Sequence, residues 1–366
     1  MCRLYIAVAM ISAMVLFVVS NMSKTRRFKD VRLVGRCMYD GSRFLGWQSQ
    51  GNKKLSTIQD HLNFVLRRRF NIDTLHVTGT SRTDAGVHAR GQAFHFDLPS
   101  TLCGSTTTSP DDLKRLTGTS TPRDGGLDLE FLEYSLNRML PMDIKVHNIS
   151  YAPLVRPERH EDGQLIYKTL APAHKIWIER EEAKNEEVTI YSDFHAIASA
   201  KGKLYKYRFC INKFVDPTRS RYVSHFYLPL DMDTFRQALS LFEGTHDMAA
   251  FANQVPKSKI AFEGNDMTFN TVKTIHSITL EEEQERGYYC VNFELESALY
   301  KMVRNIVGAC KMAAEGGGGN ARIKMDVPYI AKLLRQDGPS LTRADNLALS
   351  APAEGLTLES VYFDHF

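Results

Sequence analysis

Ten residues from Ser81 to Arg90, with Arg82, Thr83, Asp84, Ala85, Gly86, Val87, His88 and Ala89 between, lead through Gly91 into Gln92, Ala93, Phe94, His95 and Phe96. That alternating run predicts a β-strand. Asp84 is therefore held on a tight loop at the mouth of a strand, with a cation two residues before it and a glycine two residues after. Gly86 can take a backbone angle that other residues resist, and a carboxylate placed there can face outward, as a nucleophile must. The same residues also fit a plain surface turn, because Asp beside Gly is a common turn signal and Arg-x-Asp a common exposed ion pair. Taken alone, the string leaves both readings open.

The rest of the chain alternates strands and helices in two halves. Val31 to Met38 reads as extended and leads into Tyr39-Asp40-Gly41 and Phe44-Leu45-Gly46-Trp47-Gln48. A helix is predicted from about Ser56, with Ser56 and Gln59 as capping box and Ile58, Leu62, Val65, Leu66 and Phe70 on one face. Arg67, Arg68 and Arg69 belong on its wet side and read as a solvated helix end more than as a site, with one of them able to reach a phosphate. Ser135 to Val146 holds Leu136, Asn137, Leu140, Pro141, Asp143 and Ile144. Asp193-Phe194-His195-Ala196 and Ser199-Ala200 precede a strand from Lys203 to Phe209 that carries Tyr205 and Tyr207 on one face. Of these two, Tyr207 is the better core residue. A strand from Tyr289 to Leu295 precedes a helix whose apolar stripe is Leu299, Met302, Val303, Ile306 and Cys310, with Lys301 and Arg304 beside it. A glycine run, Gly316 to Gly319, ends that helix. Ala351-Pro352-Ala353-Glu354-Gly355 leads into a final strand.

Two stretches interrupt the halves. Ser100 to Gly126 is rich in Ser, Thr, Gly and Pro and reads as a flexible insertion. Val155 to Ser192 is charged but contains Leu165-Ile166-Tyr167 and Ile176-Trp177-Ile178, enough for a hairpin. This divides the chain into 1–29, an apolar and basic extension; 30–154, a lobe carrying Asp84; 155–192, the charged insertion; and 193–366, a lobe carrying Tyr205 and Arg304. Leu4 to Val19 is almost wholly apolar and is followed by Lys24, Arg26, Arg27 and Lys29. It is short for a membrane span and reads as an organelle leader, an anchor, or a stretch upstream of a start at Met22. The corresponding locations are the cytoplasm or an organelle, with membrane contact only if the apolar segment is kept.

The 366 residues are 43% hydrophobic, enough for two cores, and the net charge of +4 is mild. RNA binding depends on how cations cluster more than on their sum. The six cysteines, at 2, 37, 103, 210, 290 and 310, include no Cys-x-x-Cys and no spacing with His for a metal. They read as thiols of a reducing compartment.

The string from Arg82 to Ala89 resembles the active-site loop of the tRNA pseudouridine synthase A family. The resemblance recurs in order along the chain: the Leu136 to Ile144 segment, the Tyr205-x-Tyr207 pair, Met302-Val303-Arg304-Asn305, and the closing Ala351 to Leu358 loop. It covers roughly Val31 to Phe363. It implies an α+β fold of two ferredoxin-like, RNA-recognition-like α/β lobes joined by an extended mixed sheet, with the active site in a central cleft. It also implies a homodimer acting on the anticodon arm of tRNA without cofactor or metal. By the same resemblance Asp84 is the nucleophile, Arg304 its partner, Tyr205 the face for the target base, and Arg82 helps take the nucleotide out of the stack. Arg90 and Lys301 join Arg82 as expected RNA contacts. Three residues depart from the family pattern: Ser81 for Gly, Ala298 for an aromatic, and Lys273 for Arg, which keeps charge but loses the bidentate fork.

The chemistry fits these residue types. Isomerising uridine to pseudouridine exchanges a carbon-nitrogen bond for a carbon-carbon bond with no change of oxidation state, so it needs a carboxylate, a cation, a flat platform and a proton acceptor. Arg304 is expected to lower the Asp84 pKa. Two other classes stay in view. One is an RNA-binding protein of the same fold without the chemistry. The other is a glycosidic hydrolase, which would need a second carboxylate that no spacing supplies.

Overall fold

The alternating segments build one sheet. In a computed structural model, which describes residues 30–51, 56–99, 102, 127–152, 158–159, 165–166, 179–181, 186–188, 194–253, 260–262, 265–267, 270–316, 319–320, 323–334 and 341–363, its ten strands are β1 (Asp30–Tyr39), β2 (Thr78–Gly79), β3 (His88–Pro99), β4 (Ile144–Tyr151), β5 (Gly202–Cys210), β6 (Ser224–His225), β7 (Gly244–Asp247), β8 (Val272–Glu282), β9 (Tyr288–Leu295) and β10 (Leu356–Tyr362). The order is β7-β8-β9-β5-β10-β3-β1-β4, with β6 on β5 and β2 on β3. The sheet is mixed. β10 runs parallel to β3 and antiparallel to β5, so the last strand of the chain lies between the strand that follows Asp84 and the strand that carries Tyr205.

Five α-helices accompany it among the described residues: α1 (Ile58–Phe70), α2 (Leu129–Met139), α3 (Met232–Ser240), α4 (Met302–Ala314) and α5 (Val327–Leu333). The fold is therefore a mixed α+β arrangement around a large mixed sheet. The predicted face of α1 buries Ile58, Leu62, Val65 and Leu66, but its cap lies one residue later than expected. Thr57 and Asp60 form the capping box, and Gln59 turns inward to donate to the Val77 carbonyl at 2.6 Å. The arginines at its end also depart from expectation, since only Arg68 is exposed. Arg67 donates to the Leu75 carbonyl and Arg69 to Ser135, which satisfies carbonyl and hydroxyl groups near the helix end. Asn137 in α2 bonds both ways with the Val146 backbone, at 2.7 and 2.8 Å, and so fixes the start of β4.

The described residues fall into two units. The larger comprises Leu33–Phe96, Asp128–Ser150 and Phe194–Phe366. Its core is aromatic: Phe209 of β5 stacks on Phe226 at 4.6 Å and meets Phe235 of α3 at 5.3 Å, and all three are fully buried. Helix α3 packs on α4, which positions Arg304. The smaller takes in the described residues within Met1–Arg32, Asp97–Leu127 and Tyr151–Asp193. In it Arg32 grips Asp97 through two bonds of 2.7 and 2.8 Å. The charged stretch forms two short hairpins, Glu158–Arg159 with Leu165–Ile166 and Glu179–Glu181 with Glu186–Val188. Ile176 to Ile178, residues 103–126 and the 1–29 extension lie outside the described residues.

Candidate active site

The loop before β3 is held by backbone. The Gln92 side chain clamps Ser81, accepting from its N–H at 3.2 Å and donating to its carbonyl at 2.6 Å. Thr80 donates to Ala93, and the Thr83 hydroxyl pairs with the Tyr39 hydroxyl at 2.8 Å. From the other side, Trp47 donates to the Thr83 carbonyl and Gly86 to the Phe44 carbonyl. These contacts need glycines. Gly86 has φ +79, and a Cβ on Gly41 would sit 1.9 Å from the Val87 carbonyl oxygen. Ser81, the residue that departs from the family pattern, keeps its backbone in this clamp.

Asp84 therefore enters the site from a braced turn, and Val87 N–H closes that turn onto the Asp84 carbonyl. Its side chain is 11% exposed, a good deal less open than a carboxylate facing outward. Arg304, 12% exposed, donates from Nη1 to Asp84 Oδ2 at 2.9 Å and from Nε to the Ala351 carbonyl at 2.8 Å. Ala351 N–H donates in turn to the Arg304 carbonyl. Residues 349–351 can lie across α4 this closely because of Gly308, where a Cβ would meet the Leu349 carbonyl oxygen at 2.0 Å. Asn305 braces the same turn of α4 through the Phe251 carbonyl, Asn253 and Ser350.

The expected direction of the Asp84 shift is overturned. Burial raises its pKa above the usual carboxylate value, and Arg304 and then Lys301 only partly oppose that rise. The cation is present, but loss of water outweighs it. Arg304 and Lys301, the two charged groups acting on Asp84, are both cations.

Tyr205 pairs across the sheet with Phe293 on one side and Leu358 on the other. It is 6% exposed, and burial pushes its phenol up to about 12, with the Ser81 hydroxyl opposing and Asp84 adding to the rise. It is a neutral phenol beside the carboxylate. Tyr207, fully buried, instead donates to the Pro352 carbonyl at 3.0 Å. The closing loop thus holds Arg304 through Ala351 and Tyr207 through Pro352.

The other expected residues are spread around this centre. Arg82 is exposed and has no ion pair among the described residues. Arg90 is 70% exposed and lies 3.7 Å from Glu359. Lys301 caps α4 in a left-handed conformation, φ 61, with its amine 5.5 Å from the Tyr300 ring centre, and its charge acts on Asp84. A non-glycine residue in that region is strained, which places local strain next to the site.

Two features carried no sequence signal of their role. His88 is 3% exposed, and its Nδ1 accepts the Gly41 N–H at 3.1 Å; burial lowers its pKa, so it holds the loop as a neutral ring. The carbonyls of Ala351 and Pro352 are main-chain groups, which residue types alone do not reveal. Among the described residues no group of three or more His, Cys, Asp or Glu could hold a metal, and no helix is long and apolar enough to cross a membrane. The described cysteines, Cys37, Cys210, Cys290 and Cys310, are free and buried.

Residues 37–130 and 238–364 match the family described as tRNA pseudouridine synthase. Asp84 and Arg304 fall inside the matched residues and Tyr205 between them. The chain is 28% identical over 327 residues to a tRNA pseudouridine synthase A of Protochlamydia amoebophila, covering 89% of this chain and 94% of that one. It is 29% identical over 340 residues to the Acetivibrio thermocellus protein of that name, covering 92% and 100%, and 29% identical over 329 residues to that of Akkermansia muciniphila, covering 89% and 92%. With the family match spread over both parts of the chain that supply the Asp84–Arg304 pair, the chain belongs to the tRNA pseudouridine synthase family.

Proposed function

We propose that the chain isomerises uridine to pseudouridine in the anticodon arm of tRNA, with Asp84 as nucleophile, Arg304 as its partner and Tyr205 as the platform for the base. The observation that carries this reading is the 2.9 Å pair between Asp84 and Arg304, 220 residues apart and both mostly buried. A structural ion pair so desolvated gives little net stability. A reactive carboxylate, by contrast, needs a fixed cation and little water.

The reaction balances without redox. The bond from the sugar carbon to N1 breaks, the uracil turns, the same sugar carbon bonds to C5, and the proton leaving C5 is matched by one gained at N1. Both routes open to Asp84, attack on the sugar carbon or on the base, begin from its ionised carboxylate. Tyr205, neutral across the working pH range, offers a ring face and a hydroxyl through which the C5 proton can be relayed. Arg82, Arg90 and Lys301 supply cations for the phosphates around an extruded nucleotide, whose unstacking costs a few kcal/mol. Two ferredoxin-like lobes, 30–154 and 193–366, on either side of a cleft and paired in a homodimer would give an RNA arm its seat.

The test is direct. Purified protein with unmodified tRNA and no added metal or nucleotide should form pseudouridine, and mapping should place it in the anticodon arm. Activity in Asp84→Ala close to that of the unaltered chain would remove Asp84 from the role given to it.

A further inference from the structure

The face of β5 that carries Tyr205 extends beyond the tyrosine. Strand alternation puts Lys203, Tyr205 and Tyr207 on one side of the sheet. Lys203 pairs with Leu295 in β9, and Leu295 with Ile275 in β8, so this face continues laterally to Ile275 and, two residues back, to Lys273. Both lysines are half-buried, and Lys273 is close enough to act on Lys203. Burial first and that second cation next pull the Lys203 amine down to about 8. Among the described residues neither lysine has a hydrogen bond or an ion pair.

Such an arrangement works against the fold. A charge withdrawn from water without a partner is unfavourable, and a like charge beside it adds repulsion. Two apolar residues would suit these positions better, as Leu295 and Ile275 do on the same face, both fully buried. What two cations on one sheet face, with no carboxylate partner among the described residues, do suit is an anion from outside.

We propose that Lys203 and Lys273 form a phosphate-binding subsite at the edge of the Tyr205 face, taking one phosphodiester of the substrate RNA beside the target nucleotide. The proposal rests on the RNA-modifying reading of Asp84 and Tyr205. A strand rises about 3.3 Å per residue, so Lys203 starts about 7 Å along the backbone from Tyr205. Its four-carbon stem reaches a phosphate flanking a base laid on the tyrosine ring. The two amines act as compact point charges with three donors each, and so hold a phosphate without the fixed fork that arginine would impose. Lys273, which departs from the family's arginine, thus falls into a two-lysine clamp.

The experiment measures the affinity of unmodified tRNA for the full chain carrying Asp84→Asn, so that turnover does not intervene, across a salt series. Lys203→Gln and Lys273→Gln should each weaken binding at low salt and reduce the slope of log affinity against log salt, and the double variant should reduce it by about one. Lys203→Arg and Lys273→Arg should restore the slope. With Asp84 intact, both Gln variants should raise KM several-fold more than they lower kcat. Lys203→Met should raise the melting temperature while it loses affinity, because the uncompensated charge is gone. Unchanged slopes in both Gln variants, or a Lys203→Met protein that melts earlier and binds normally, would overturn the subsite. Absence of pseudouridine formation by the unaltered chain would instead overturn the functional reading, so the two failures are separable.

Discussion

The Asp84 end and the Lys203 end of one sheet face treat charge in opposite ways. At the first, a carboxylate and a guanidinium, both near one-tenth exposed, meet at 2.9 Å, and the guanidinium is further held by a carbonyl. At the second, two half-buried lysines share one sheet face, the charge of one acts on the other, and neither has an acid partner among the described residues. The first region pairs its charges within the chain. The second, in the subsite proposed above, is paired by the charge of a ligand.

The largest effect expected is at Asp84. Asp84→Asn should reduce pseudouridine formation at least roughly a thousandfold, since it removes the proposed nucleophile. Stability should move the other way. Burial raises the Asp84 pKa, so the folded state disfavours the ionised carboxylate relative to the unfolded chain. The contribution of that group to stability is therefore greatest at acid pH and falls as pH rises through the raised value. A neutral Asn at pH 7 should leave the melting temperature unchanged or slightly higher, a trade of stability for function. An early-melting Asp84→Asn protein would mean that the pair serves the fold and that the contrast between the two ends is misdrawn.

Arg304→Gln comes next. Turnover should drop by about two orders of magnitude, the scale of losing one fixed electrostatic contact. Removal of the cation also leaves desolvation unopposed except by Lys301, so the Asp84 pKa should rise further. The proposed chemistry needs the ionised form, so the unaltered chain should already lose activity, as pH falls, at a higher pH than an ordinary carboxylate would give. In Arg304→Gln that acid limb should shift to higher pH still. A limb that stays in place would separate Arg304 from Asp84, and a loss of tRNA affinity equal to the loss of turnover would assign it to the RNA backbone.

Much of this was readable from the residues, for reasons that differ by position. The face of α1 was legible because burial follows a 3.6-residue period, yet its cap moved from Ser56 to Thr57 because both have the right neighbour three residues on. The Asp84–Arg304 pair had no local signal; only the resemblance of two distant strings brought it out. The direction of the Asp84 shift was misread because a cation can be seen in a sequence and the exclusion of water cannot. Lys203 carries no signal in the sequence beyond its place at the start of a strand. Its meaning came from register, which places it in line with Leu295 and Ile275.

The two tyrosines of β5 give the smallest effects and a sharp test of where the active region stops. Tyr205→Phe keeps the ring and removes a hydroxyl that lies by Ser81 and Asp84. Turnover should fall about tenfold or more if that hydroxyl relays a proton, with little change in melting temperature. Tyr207→Phe leaves the Pro352 carbonyl without its donor, a loss of about 1 kcal/mol read as a lower melting temperature. Its effect on turnover should stay within roughly threefold, transmitted through the closing loop that also holds Arg304. If Tyr207→Phe proved the more damaging to turnover, the chemistry would lie deeper in the sheet. Lys203 would then be too far from the reacting base to hold its neighbouring phosphate.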